Sequence, residues 1–306
     1  MKILVATDKP FAKIAVDGIR NIIEEAGFEL ALLEKYTEKS QLLEAVADAN
    51  AIIIRSDIID AEVLAAARNL KIVVRAGAGY DNVDLDAATA KGVCVMNTPG
   101  QNANAVAELA FGLMVYGIRN FYNGTSGTEL LGKKLGLHAY GNVGRNVARI
   151  AKGFGMELYA YDPFCPAEAI EKDGVKALNS VEELYTTCQF ISLHIPATAE
   201  TKKSVNYALL SKMPKGAVLV NTARKEVIDE AELVKVMEER ADFKYLSDIA
   251  PANASELAQK FAGRYFATPT KMGAQTAEAN INAGLAAAKQ IVDFFKNGNE
   301  RFRVNL

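Results

Sequence analysis

Short apolar runs alternate along this chain with stretches whose apolar residues recur at three- and four-residue spacing. In the first hundred residues, 2–6, 29–33, 51–55, 71–75 and 93–96 read as strands, and 11–25, 39–47, 61–67 and 85–90 as helices. The strand runs are almost continuously apolar, the pattern of parallel strands buried on both faces. Such alternation predicts a sheet covered by right-handed crossovers. Asn97-Thr-Pro-Gly100 breaks the rhythm, and an alanine-rich helix is expected over 102–120. Strands are expected again at 135–139, 157–161, 190–194, 217–221, 244–247 and 264–267. Helices are expected at 167–172, 181–188, 208–211, 230–240 and 275–296. The fold class is therefore α/β, with parallel sheets throughout.

The stretch 135–162 carries the most specific chemistry. After the strand come Ala139-Tyr-Gly141-Asn-Val-Gly144, then helical spacing of Val143, Val147, Ile150 and Ala151, then a second strand ending at Asp162. A turn of this type binds a dinucleotide. Gly141 allows close approach to a pyrophosphate, Gly144 allows helix and strand to pack, and the helix N-terminus offers N–H groups to the anion. Asp162 is placed to accept hydrogen bonds from ribose hydroxyls and to repel a 2′-phosphate, favouring NAD over NADP. Alanine stands where the first glycine is usual, and it suits the turn only if its φ stays negative.

Composition narrows the class. Lysine and arginine number 35 against 37 acidic residues, for a net charge of −2, so neither nucleic acid nor a membrane surface is an expected partner. Cys94, Cys165 and Cys188 form no zinc spacing and are expected as reduced thiols; no metal site is expected. Met1 leads into a strand rather than a signal peptide, and no apolar run approaches the ~20 residues of a membrane span, so a cytoplasmic protein is expected.

Further clusters fall at the carboxyl ends of strands, where open α/β sheets bind ligands. Arg55 and Ser56 follow one, and Arg75-Ala76-Gly77 opens the glycine-bearing loop RAGAGYDNVD after the next. The two arginines are candidates for holding an anionic substrate; the alternative for each is a solvated surface residue. Ser192-Leu-His194-Ile-Pro196, Asn221-Thr222-Ala223-Arg224, Asp248 and Thr268-Pro…Gly273 follow in order.

Six such clusters in register resemble the D-2-hydroxyacid dehydrogenase family over nearly the whole chain. The resemblance implies two doubly wound parallel-sheet domains, a Rossmann-type cofactor domain (99–283) inserted into a flavodoxin-like substrate domain (1–98 plus 284–306). It also implies a homodimer, with the apolar helix after Pro99 supplying part of the contact. By position in the motifs, Tyr140, Gly141, Asn142, Val143, Gly144, Asp162, His194, Pro196, Thr201, Thr222, Ala223, Asp248 and Gly273 would hold NAD. Arg55, Ser56, Arg75, Ala76 and Gly77 would hold the substrate, while His138, inside its strand, is expected to be structural.

Catalysis in this family needs a cation for the substrate carboxylate and carbonyl, and Arg224 occupies that position. The usual histidine–glutamate pair is missing: Lys271 stands at the histidine position, and no glutamate follows Asp248 closely. Some short members of the family are similar in having lysine there, so Lys271 is the expected acid–base group. Neighbouring positive charge would favour its neutral form. RAGAGYDNVD and MNTPGQN look most like members that oxidise 3-phosphoglycerate at the start of serine synthesis, in the form lacking a C-terminal regulatory domain. The alternatives are another small D-2-hydroxy acid, such as glycerate or hydroxypyruvate, and a non-catalytic NAD-sensing protein of corepressor type.

Overall fold

The structure, a computed structural model, describes residues 1–305. The chain forms two compact units, Met1–Asn102 together with the segment from Gln275 onward, and Ala103–Ala274. These breaks differ from the expected 98/99 and 283/284. The helix Ala277–Asn297 is one rigid rod, capped at its start by the Thr276 side chain and closed by Gly298 at φ 67°, and it belongs whole to the first unit.

In the first unit, β1 (Lys2–Thr7), β2 (Glu29–Glu34), β3 (Ala51–Ile54), β4 (Ile72–Arg75) and β5 (Cys94–Asn97) pair in the order β2-β1-β3-β4-β5, all parallel. This is the flavodoxin-like order, with its switch point between β1 and β3. Alternation along the strands builds two cores. Ile3, Val5, Ile53 and Val74 pack with Ile19 and Ile23 of the helix Lys13–Glu25 and with Ala287 and Ile291. Leu4, Ala6, Ile52 and Val73 pack the other way, with Leu42, Val46 and Val63. Small residues let the helices on the first face approach: a Cβ on Gly18 would lie 2.5 Å from Leu285 Cδ2.

In the second unit, β6 (Lys134–His138), β7 (Glu157–Tyr161), β8 (Lys176–Ala177), β9 (Phe190–Leu193), β10 (Val218–Asn221), β11 (Lys244–Ser247) and β12 (Tyr265–Ala267) form an all-parallel sheet. Its order is β12-β11-β10-β9-β6-β7-β8. The order reverses between β6 and β9, as in a Rossmann sheet, so the glycine turn lies at the switch point. The helices Ala103–Ile118 and Asn142–Gly153 cover one face. Leu184, Leu233, Met237 and Leu257 cover the other.

Two expectations are corrected here. The long helix stops at Ile118, because Asn120, Phe121 and Tyr122 all take positive φ, 52° to 55°. Lys244 Nζ caps its end, donating to Gly117 O at 2.7 Å and Asn120 Oδ1 at 2.8 Å, and Tyr116 packs against Phe121, Tyr122 and Phe266. The apolar surface of that helix is also spent inside the unit: Val106, Ala107, Ala110, Phe111, Leu113 and Met114 are buried there, which removes the argument for placing a subunit contact on it. No helix among the described residues is long and apolar enough to cross a membrane.

Candidate active site

Loops at the carboxyl ends of the second unit's strands carry the expected cofactor residues. The first joins β6 to the helix Asn142–Gly153. Gly141 is the N-cap, no side chain caps the first turn, and no atom lies within 4 Å of where its Cβ would be. That leaves a bare backbone and an exposed positive helix end, which suits an anion. Gly144 is required sterically, since a Cβ there would sit 2.6 Å from the Ala139 carbonyl oxygen.

Ala139 departs from expectation. Its φ is +82°, not negative, with its N–H donating to Tyr161 O at 2.9 Å. Two strand-end bonds over-determine the turn: that one, and Tyr140 N–H to Asp162 Oδ2 at 2.7 Å. Together they hold alanine in a region costing roughly 1–2 kcal/mol.

Asp162 is thereby fixed, its second oxygen accepting from Phe164 N–H at 2.8 Å. The Tyr140 ring is buried, its hydroxyl donating to Asp173 at 3.1 Å beneath the Arg145 guanidinium, so that its O–H donor is already engaged within the unit. Asn142 is exposed and Val143 half-buried at the helix start.

The second loop follows β9. His194 Nε2 is buried with no protein partner, and burial, reinforced by His138, pushes the ring down to about 3, so it is neutral at physiological pH. Pro196 is exposed; Thr201 Oγ1 donates to its carbonyl at 2.5 Å and shapes the 196–201 loop. His138 faces the interior, its Nδ1 3.1 Å from the Tyr185 hydroxyl, as a structural residue does.

The third site element follows β10 and β11. Thr222 Oγ1 is buried without a protein partner, and Ala223 N–H donates to Asn221 Oδ1 at 3.0 Å. Arg224 is half-buried at the start of a 3-10 turn, with Nη1 donating to Ala223 O at 3.1 Å.

Asp248, fully buried, governs the segment Thr268–Gly273. Its Oδ1 accepts from Thr268 Oγ1 at 3.0 Å and Met272 N–H at 2.7 Å, and its Oδ2 from Gly273 N–H at 2.8 Å. Lys271, exposed, thus sits on a loop pinned on both sides. This role of Asp248 was not legible beside the expected ligand role, because its partners lie twenty or more residues away in the chain.

The bare helix start, the unpartnered Thr222 hydroxyl and the unpartnered His194 nitrogen fit a dinucleotide, which has oxygens and an amide for all three.

In the first unit, Arg55 is turned inward. Its guanidinium donates to Lys9 O at 2.8 Å, Pro10 O at 3.1 Å and Asn280 Oδ1 at 2.6 Å, over the Phe11 ring. Those bonds anchor the guanidinium to two other segments of the first unit. Ser56 is exposed at the same loop. Arg75 Nε donates to Arg55 O at 3.0 Å, and Ala76 N–H to Ile54 O at 2.8 Å. Gly77 has φ +150°, and a Cβ there would lie 1.3 Å from Arg75 Nη1, so only glycine lets that guanidinium lie where it does.

A family model described as D-isomer specific 2-hydroxyacid dehydrogenase, NAD binding domain, matches residues 111–264. The D-3-phosphoglycerate dehydrogenase of Methanocaldococcus jannaschii is 36% identical over 292 residues, covering 90% of this chain and 55% of that protein. The hydroxypyruvate reductase of Thermotoga maritima is 35% identical over 281 residues, covering 86% and 90%. An NAD+-bound 3-phosphoglycerate dehydrogenase structure from Entamoeba histolytica superposes with a TM-score of 0.90 at 49% identity, covering 100% of this chain and 99% of that one. The chain spans about half the length of the curated D-3-phosphoglycerate dehydrogenases it matches. It belongs to the D-isomer specific 2-hydroxyacid dehydrogenases, and its second unit carries that family's NAD-binding domain.

Proposed function

We propose that the protein oxidises D-3-phosphoglycerate to 3-phosphohydroxypyruvate with NAD, the entry step of serine synthesis. The observation that carries the chemistry is the Asp248-pinned loop that presents Lys271 in a chain that also keeps Arg224. The choice of substrate is supported by the 3-phosphoglycerate dehydrogenases among its relatives.

In this reading NAD, when bound, would supply the hydride acceptor for C2 of the substrate. The glycine turn holds its pyrophosphate, Asp162 its ribose, and His194, Thr222 and Asp248 the rest. Arg224 pairs with the substrate carboxylate and polarises the C2 oxygen. Lys271, as the neutral amine, takes the hydroxyl proton and returns it in the reverse direction. Arg75, Ser56 and the Ala76–Gly77 backbone hold the phosphate. In this reading Arg55 shapes that loop, its Nη1 and Nη2 bonding Lys9, Pro10 and Asn280. A cytoplasmic homodimer belongs to the same reading, and sedimentation at twice the chain mass tests the assembly.

A second reading, reduction of hydroxypyruvate or oxidation of glycerate, is favoured by the Thermotoga relative, of which the chain covers 90%. NADH formation with 3-phosphoglycerate, glycerate and lactate side by side separates them. At least tenfold higher kcat/KM for 3-phosphoglycerate is expected. Equal values for glycerate remove the phosphate from recognition, and no turnover of any acid supports an NAD-sensing role instead.

A further inference from the structure

The first unit buries a carboxylate that the chemistry above leaves unused. Asp57 is 4% exposed and lies just past β3, beside the switch point of the sheet. Its Oδ1 accepts from Asp8 N–H at 2.7 Å, in the loop after β1, and from the Tyr36 hydroxyl at 2.8 Å, in the loop after β2. Its Oδ2 accepts from Arg55 N–H at 3.1 Å, closing a turn on its own segment. Three loops therefore meet at one side chain.

The turn matters for what the Arg55 peptide does next. The Arg55 carbonyl accepts from Arg75 Nε at 3.0 Å, and Asn82 Nδ2 braces it at 3.3 Å while donating to the Asp57 carbonyl at 2.6 Å. Ile54 is paired with Arg75 across β3 and β4, so Arg55, held at its N–H by Asp57 and at its carbonyl by Asn82, lies beside Arg75 and meets its side chain through that carbonyl. Gly77 completes the arrangement by leaving room over its Cα.

We propose that Asp57 is the positioning residue for Arg75: the carboxylate holds Arg55 by its N–H and closes the turn that sets the direction of the Arg55 carbonyl, and that carbonyl aims the guanidinium at the substrate. This rests on Arg75 reading the phosphate, as argued above. An anion is needed rather than an amide. Three donors converge on its two oxygens, and an asparagine would turn an NH2 toward N–H or O–H groups, leaving donors unsatisfied in a buried place.

The test uses the full-length protein in two arms. In the first, 15N side-chain spectra follow hydrogen exchange at Arg75 Nε, which needs no substrate. Asp57→Asn should speed exchange at Arg75 about tenfold and leave Arg145, in the other unit, unchanged. Asn82→Ala, at a half-buried surface position, should do the same if Asp57→Asn folds poorly. Unchanged exchange at Arg75 in the variants overturns the proposal.

In the second arm, KM is measured for the acid that wild type accepts, with NADH affinity from fluorescence. Asp57→Asn should raise KM about tenfold with NADH affinity within twofold, and should add less than twofold in an Arg75→Ala background. Equal multiplication in both backgrounds means Asp57 does not act through Arg75. A wild type that ignores 3-phosphoglycerate sinks the substrate assignment alone, and the exchange arm still decides on Asp57.

Discussion

Asp248 and Gly273 share a 2.8 Å hydrogen bond from the glycine N–H to Oδ2, and a Cβ on residue 273 would lie 2.8 Å from that same oxygen. The contact is closer than a carbon and a carboxylate oxygen tolerate, with Val106 Cγ2 at 3.2 Å blocking retreat on another side. Gly273→Ala should therefore displace the carboxylate or the loop. Turnover should fall by at least tenfold while the unfolding temperature changes by only a few degrees. Asp248→Asn replaces one acceptor oxygen with an NH2 that must face either the Gly273 N–H or the Met272 N–H, a cost of about 1–3 kcal/mol, and should lower turnover similarly. Normal kinetics in both variants would show that the pinned loop is irrelevant to catalysis.

Asp162 has two jobs in this geometry, since its oxygens hold the Tyr140 and Phe164 amides. Asp162→Ala is expected to weaken NAD by tenfold or more and NADP much less, because repulsion of a 2′-phosphate disappears as the ribose contact is lost. KM for both cofactors checks it. An equal loss for the two means the acid only shapes the turn.

At residue 139, glycine should be better than the alanine present. The φ of +82° costs alanine roughly 1–2 kcal/mol, partly offset by the greater freedom glycine loses on folding. Ala139→Gly should raise stability in urea by about 0.5–1 kcal/mol with NAD affinity unchanged or improved. A destabilised variant would mean that packing of the Ala139 methyl outweighs the backbone strain.

That residue also marks where sequence reasoning stopped. The strands were legible because buried parallel strands are continuous apolar runs, and β7 and β11 fall where the pattern put them. Two-residue β8 carries too little pattern to read. The left-handed turn at 120–122 is set by Lys244 and Phe266, both more than a hundred residues away, which no local propensity encodes. The site clusters were legible as motifs at strand ends. What Asp57, Asp248 and Arg55 bond to was not, because each meets partners brought together only by the fold.

Acid should destabilise the protein in a defined window. Burial lowers His138 from its usual 6.5 to about 4, so the folded state favours the neutral ring. Between those values the unfolded chain binds more protons, and stability is full above about pH 6.5 and falls as pH drops toward 4. For His138 alone the loss from pH 7 to pH 5 is on the order of 2 kcal/mol, and His194 adds in the same direction. Urea midpoints across that range should fall, and less steeply in His138→Gln. Parallel slopes would place the sensitivity elsewhere.

Lys271 is the sharpest test of the proposed chemistry. Its loop is held at Met272 and Gly273 by Asp248, so the side chain changes while its mounting stays. Lys271→Met keeps length and apolar bulk but removes the proton carrier. It should cut kcat by about 10²–10⁴, the span for losing a general acid or base, with NADH affinity near wild type. In wild type, kcat/KM for oxidation should climb with pH, because the neutral amine is the base; in the methionine variant the profile should flatten. Lys271→His should recover little. The family's orienting glutamate is absent after Asp248, and the next acid, Glu256, is ion-paired with Lys260 at 2.8 Å. A methionine variant that keeps most of its turnover and its pH profile would take Lys271 out of the mechanism and leave Arg224 to work with water as the proton acceptor.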